Sequence, residues 1–233
     1  MPGPDHSASR SSGEGYSRLS QRVAEAIKNE LLANPRAALG LATGRSPTGA
    51  YQLLSRWSRE GIVDWSEAKC FGLDEYCDVG ERDSFGWYLD QNLYRHTNLP
   101  HGSRFDPAHD HNYDETIESS GGLDLTLLGI GSNGHIAFNE PGTPFLSWTH
   151  CVYLAESTRK ANAGLFASGQ VPHRAVTMGL QTILSSRKII LMVTGEQKRG
   201  ILERALCGPV TEEIPASVLQ LHKSLLVETD FDR

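Results

Sequence analysis

The chain has 233 residues, enough to bury a sizeable core and suited to one large α/β domain more than to two small ones. Its 22 basic and 28 acidic residues leave a net charge of −6 with no long basic run, which argues against nucleic acid and anionic membrane as partners. No apolar stretch approaches the ~20 residues of a membrane span, and MPGPDHSASRSSGEGY carries no apolar signal segment, so a cytoplasmic location is expected.

The first residues are rich in Ser, Gly and Pro and read as a flexible tail over 1–15, with a single domain over 16–233. In residues 17–33, Leu19, Val23, Ile27 and Leu31 recur at i+4 spacing, which predicts an amphipathic helix. Apolar runs then alternate with helical stretches: AALGLATG, a helix from Pro47 to about Arg59, AKCFGLDE, a helix around 86–95, LDLTLLGIG, THCVYL, RKIILMVTG, a helix near 196–207, and SLLVE. This βαβ rhythm predicts a mostly parallel sheet covered on both faces, whose chemistry sits where strands end at a reversal of strand order. The four cysteines are scattered without a C-x-x-C pair and are expected to be reduced, buried or half-buried thiols.

GIGSNG at 129–134 is a formal match to the dinucleotide-binding pattern Gly-x-Gly-x-x-Gly, and the apolar LDLTLL before it supplies the required strand. The required helix is missing: His135 and then N-E-P-G-T-P follow, with Pro141 and Pro144 breaking any helical run. The loop therefore exposes backbone amides beside His135, which titrates near neutrality, and Glu140, which is placed to orient it. ATGRSPTGAY has the glycine spacing of a nucleotide-triphosphate loop, but Ala50 and Tyr51 stand where Lys and Ser/Thr belong. Thr43, Gly44, Arg45 and Ser46 still offer hydroxyls, amides and a guanidinium to a smaller phosphate at the start of a helix. In LDEY, Asp74 and Glu75 end an apolar strand; since side chains alternate, one can face the crevice as a proton-transfer base while the other faces away. His109-Asp110-His111, with Asp106 and Asp114, matches no zinc spacing, so no metal is expected; G-x-S-x-G is absent.

ATG-x-SP, LDEY, GIGSNGHIAFNEPG, AVTMG and MVTGEQK, in this order, resemble the glucosamine-6-phosphate deaminase/isomerase family from about residue 17 to the end, with GHIAFNEP the most specific element. The resemblance implies a Rossmann-like three-layer α/β/α sandwich, no organic cofactor, a small phosphorylated amino-sugar substrate, and a monomer or small homo-oligomer. It implies release of ammonia and a ketose phosphate, with His135 and Glu140 opening the sugar ring and Asp74 moving a proton from C2 to C1. Lys198 in TGEQK matches the family's phosphate-binding lysine, and Thr43, Gly44 and Ser46 match its phosphate loop.

This chain departs from the pattern at several places. Asn133 stands where one branch of the family has Asp, leaving Glu140 as the sole nearby carboxylate of His135. Gly164 replaces the usual phosphate-binding Arg of a mobile lid, and Arg45 brings a cation into the phosphate loop, so Arg45 is expected to take over that arginine's work, with the nearby Arg174 doing little. The strand that should precede the first helix is not evident in MPGPDHSASR. The neighbouring readings are a galactosamine-6-phosphate deaminase, a 6-phosphogluconolactonase of the same fold, and a sugar-phosphate sensor domain, which need not keep Asp74, His135 and Glu140 together.

Overall fold

The computed structural model describes residues 6–166 and 170–232. Its first helix, α1, runs His6–Ala33 and buries Leu19, Val23, Ile27 and Leu31 as the i+4 spacing predicts. It also begins well before Tyr16, so the stretch expected as a tail is helical from residue 6 onward, while residues 1–5 lie outside the described residues. Within this helix Gly15 is buried, and a Cβ there would lie 2.5 Å from the carbonyl oxygen of Asp230, so at this position the missing side chain serves close packing and not chain flexibility. Among the described residues no strand precedes α1.

Six strands form a wholly parallel sheet: β1 Ala38–Leu41, β2 Lys69–Gly72, β4 Arg104–Phe105, β5 Leu125–Leu128, β8 Lys188–Val193 and β9 Leu225–Thr229, in the order β4-β2-β1-β5-β8-β9. The central strands β1 and β5 are buried along their whole length, as their unbroken apolar runs require. From β1 the chain steps outward to β2 and β4, then returns to β5 and proceeds through β8 to β9. α2 (Thr48–Arg59) packs on α1 and on α3 (Phe85–Asn92), α4 (Tyr113–Ser119) is tied to α6 (Leu180–Leu184) by the Thr182 hydroxyl donating to Asp114, and α7 (Arg199–Cys207) lies between β8 and β9 in the chain. The outcome is an α/β fold whose strand order reverses between β1 and β5, and a crevice opens there at their carboxyl ends.

One expected strand divides. AKCFGLDE pairs in the parallel sheet only as far as Gly72; from Asp74 to Tyr76 it becomes β3 of a second, antiparallel sheet, in the order β3-β7-β6, with β7 at Arg174–Thr177 and β6 at His150–Tyr153. THCVYL therefore belongs to this smaller sheet and not to the parallel one. Its alternation of half-buried and exposed residues is that of a sheet solvated on one side, unlike the fully buried LTLL of β5. A separate aromatic core supports the small sheet: Tyr76 packs at centroid distances of 4.7, 5.2 and 5.0 Å against Phe85, Phe138 and Phe166. Of the thiols, Cys70 is buried and Cys77 half-buried, but Cys151 and Cys207 are exposed, contrary to expectation.

Candidate active site

A cleft of about 500 Å³ opens at the strand-order reversal, and its wall includes Thr43–Ser46, Asp74, Gly129–Ser132, His135, Thr158, Thr194 and Lys198. The loop after β1 is held by its carbonyls. Tyr51 donates to Ala42, Tyr88 to Gly44, and Tyr16 sits 3.3 and 3.2 Å from the carbonyls of Arg45 and Ser46 while accepting the Gly49 amide at 3.0 Å. Three tyrosines from α1, α2 and α3 thus take the acceptors. The amides of Gly44, Arg45 and Ser46 donate to no protein group among the described residues, and they stand ahead of the N-terminus of α2. Amides, helix dipole and the Ser46 hydroxyl, 2.6 Å from that of Thr194, make a cradle for a phosphate-sized anion.

The strand ending in LDEY parts its two carboxylates. Glu75 turns away from the crevice and accepts the backbone amides of Tyr76, Phe85 and Gly86 at 2.8, 2.9 and 2.8 Å, capping the start of α3. Burial nevertheless raises its carboxyl, against the pull of those amides. Asp74 lines the cleft, is buried, and accepts no hydrogen bond among the described residues. Burial, with the charge of Glu75 adding to it, pushes its carboxyl up to about 8.

After β5 the GIGSNGH loop folds back on itself, with the Gly131 amide donating to the His135 carbonyl at 2.9 Å. No helix follows it; the next is α5, Glu156–Asn162, beyond β6. Gly131 is required by the imidazole, because a Cβ there would lie 2.2–2.4 Å from three atoms of the His135 ring. Nδ1 of His135 stands 3.6 Å from Oε2 of Glu140. The same carboxylate accepts from Nδ2 of Asn133 at 2.7 Å and from the hydroxyl of Thr158 on α5. Burial works against its charge, but the adjacent His135 ring and the hydrogen bonds of Thr158 and Asn133 outweigh it and hold Glu140 down at about 2. Asn139 is structural: its Nδ2 ties the loop to the carbonyls of Ile136 and Met178 at 3.0 and 2.9 Å.

Lys198, in the turn before α7, reaches the cleft and donates Nζ to the carbonyl of Ile130, with burial lowering its ammonium against the pull of Asp230. Arg45 is exposed at the rim and has no acidic partner among the described residues. Its guanidinium approaches the backbone of residue 164 so closely that a Cβ on Gly164 would sit 3.1 Å from it. Arg174 lies elsewhere: it pairs with Asp78 at 2.9 Å and lines a separate surface groove. All nine expected residues, Thr43, Gly44, Arg45, Ser46, Asp74, Asn133, His135, Glu140 and Lys198, thus converge on one cleft or on the side chains that line it. Asp106 and His109 are not in its wall and are bound to each other at 2.8 Å. The sequence motifs did not point to Thr158, Thr194 or Tyr88; Thr194, directly before GEQK, was the nearest to being visible.

A family model described as glucosamine-6-phosphate isomerases/6-phosphogluconolactonase matches residues 11–227. A glucosamine-6-phosphate deaminase of Lachnoclostridium phytofermentans is 42% identical over 93% of this chain and 97% of its own length, and one of Clostridioides difficile is 41% identical over 92% and 91%. Among solved structures, a monomeric glucosamine-6-phosphate deaminase superposes with a TM-score of 0.88 at 39% identity, covering 92% of this chain and 93% of the other. The 6-phosphogluconolactonase of Trypanosoma brucei shares the fold at a TM-score of 0.73 and 18% identity, over 92% of each chain.

Proposed function

The chain belongs to the glucosamine-6-phosphate isomerase/6-phosphogluconolactonase family, and we propose that its cleft carries out the reaction for which its deaminase relatives are named. Glucosamine-6-phosphate and water become fructose-6-phosphate and ammonia. The observation that carries this reading is the isolation of Asp74: a buried carboxyl with no hydrogen-bond donor among the described residues, in the same cleft as an amide-lined anion cradle and a histidine–carboxylate pair.

The substrate phosphate rests on the amides of Gly44, Arg45 and Ser46 with the Thr43 and Ser46 hydroxyls, and Arg45 and Lys198 supply charge against its nearly two negative charges. Anchoring at C6 orients C1 and C2 toward the far wall of the cleft. His135, kept beside the ionised Glu140, moves a proton at the ring oxygen and opens the pyranose; Asn133 holds Glu140 in place. Asp74 takes the C2 proton and returns it to C1, and water then displaces the nitrogen at C2 as ammonia. A carboxyl pushed up to about 8 is a stronger base when ionised than an ordinary aspartate, which suits removal of a weakly acidic C–H proton. No helix among the described residues is long and apolar enough to cross a membrane, and we place the protein in the cytoplasm as a monomer or small homo-oligomer. The deciding assay measures ammonia and ketose phosphate from glucosamine-6-phosphate and galactosamine-6-phosphate side by side, with acid release from 6-phosphogluconolactone as the third arm. Turnover of glucosamine-6-phosphate is expected to dominate; acid release alone would overturn the assignment.

A further inference from the structure

Thr158 is the one member of the histidine–carboxylate cluster that comes from outside the loop after β5. It is buried on α5, a helix that also contributes Ser157, Ala161 and Asn162 to the cleft wall. Its hydroxyl donates to Oε1 of Glu140, while Asn133 occupies Oε2 at 2.7 Å. The same hydroxyl oxygen lies 3.5 Å from Nδ1 of His135, almost the 3.6 Å that separates Nδ1 from Glu140 Oε2.

A threonine hydroxyl has one proton and two lone pairs, and an ionised carboxylate can only accept. The proton is therefore committed to Glu140, and the face of Thr158 turned to the imidazole is a lone pair. Both groups around Nδ1 are then acceptors, so in neutral His135 the proton belongs on Nδ1. Nε2, which bonds no protein group among the described residues, keeps its lone pair. We infer that Thr158 is a positioning residue that fixes the Nδ1–H tautomer of His135 and the orientation of Glu140, and that it makes both depend on α5 being docked on the loop. Asn133 cannot do this alone: on Glu140 it holds only Oε2, the oxygen already beside the ring, and its Oδ1 takes the backbone amide of His135 at 3.2 Å and not the imidazole. The role presupposes that His135 moves a proton at the ring oxygen, as proposed above.

The test compares Thr158→Val, which keeps the shape and removes the hydroxyl, with Thr158→Ser, which keeps the hydroxyl. Two substrates are used: glucosamine-6-phosphate, and its 4,5-dideoxy analogue, which has no hydroxyl able to close a pyranose or a furanose ring. Thr158→Val is expected to lower kcat on the cyclic substrate by ~10- to 100-fold with KM nearly unchanged, part of the ~10²–10⁴-fold that a placed acid–base group supplies. It should leave the open-chain analogue within about threefold of wild type, and Thr158→Ser should recover most of the loss. Nitrogen-15 spectra of the imidazole should show the Nδ1–H form in the wild type and in Thr158→Ser, and a mixture of tautomers in Thr158→Val. Equal losses on both substrates, no recovery by Ser, or an unchanged tautomer in Thr158→Val would overturn the role. His135→Gln run in parallel separates the two levels: if it too impairs both substrates equally, the ring-opening assignment of His135 fails, whereas a ring-selective loss there with none in Thr158→Val removes only Thr158.

Discussion

Asp74 and Glu140 are both buried carboxyl groups beside one cleft, yet they are driven in opposite directions. Asp74, on the antiparallel strand β3, receives no hydrogen bond among the described residues, so burial, with the charge of Glu75 adding to it, acts unopposed and raises it to about 8. Glu140, on the loop after β5, is gripped by Asn133 and Thr158 and faces His135, and stays near 2 despite its burial. Glu75, next to Asp74, is intermediate: three backbone amides hold it, and burial still prevails. Burial alone does not assign a role. The number and charge of donors decide whether a buried carboxyl is poised to exchange a proton or is kept as a fixed charge.

The largest expected effect tests the two neighbours on β3. Asp74→Asn should lower kcat by ~10²-fold or more with KM nearly unchanged, since the group acts mainly in the transition state. Glu75→Gln should instead lower the melting temperature by weakening the cap of α3, leaving turnover largely intact. The reverse pattern would exchange their roles. In the wild type kcat/KM should climb with pH and level off near 8, as the base form of Asp74 fills, and this limb should vanish in Asp74→Asn.

Next in size is the phosphate wall. Arg45→Ser should raise KM by roughly ten- to a hundredfold, the worth of a charge-assisted contact of ~1.5–3 kcal/mol, while Arg174→Ala, which alters a different groove, should change KM little. Loss of affinity from Arg174 and none from Arg45 would move the phosphate cation to the other side of α5.

The two carboxyl groups also make opposite contributions to stability, measurable as denaturant midpoints against pH. Asp74 has a folded value raised above its unfolded one, so the native state holds the extra proton and stability falls as pH rises from about 4 toward about 8. Glu140 has a depressed value, so its contribution is present above the ordinary carboxylate range and is lost as pH falls toward about 2. Asp74→Asn should therefore flatten the fall between about 4 and about 8 and Glu140→Gln the loss toward lower pH; a single slope surviving both changes would show that other groups set the pH dependence.

The smallest effect is expected at Gly164. Gly164→Ala places a methyl 3.1 Å from the end of the Arg45 side chain, which is flexible and can yield by a few tenths of an ångström. KM should rise by only about twofold, a cost near 0.4 kcal/mol. An effect as large as that of Arg45→Ser would mean that the guanidinium is held against residue 164 far more rigidly.

Local chemistry determined much of this protein from the sequence alone. A Gly-rich turn after an apolar run, a proline at a helix start and a histidine beside a carboxylate act through neighbours within a few residues, so ATGRSP, LDEY and GIGSNGH were legible as loops at strand ends, and the βαβ rhythm foretold the parallel sheet. The missing helix after Gly134 was equally visible, because proline forbids it. Tertiary structure alone decided that the chain continues as a strand of a second sheet, since Asp74 and Glu75 read locally as the end of an apolar strand and only the pairing of β3 with β7 extends it. It also decided which of two adjacent carboxylates met a helix N-terminus and which met none, that a threonine on α5 would complete the cluster around Glu140, and that Arg45 would lie against Gly164. These contacts join residues far apart in the chain, and their energy depends on distances and burial that exist only once the layers have packed.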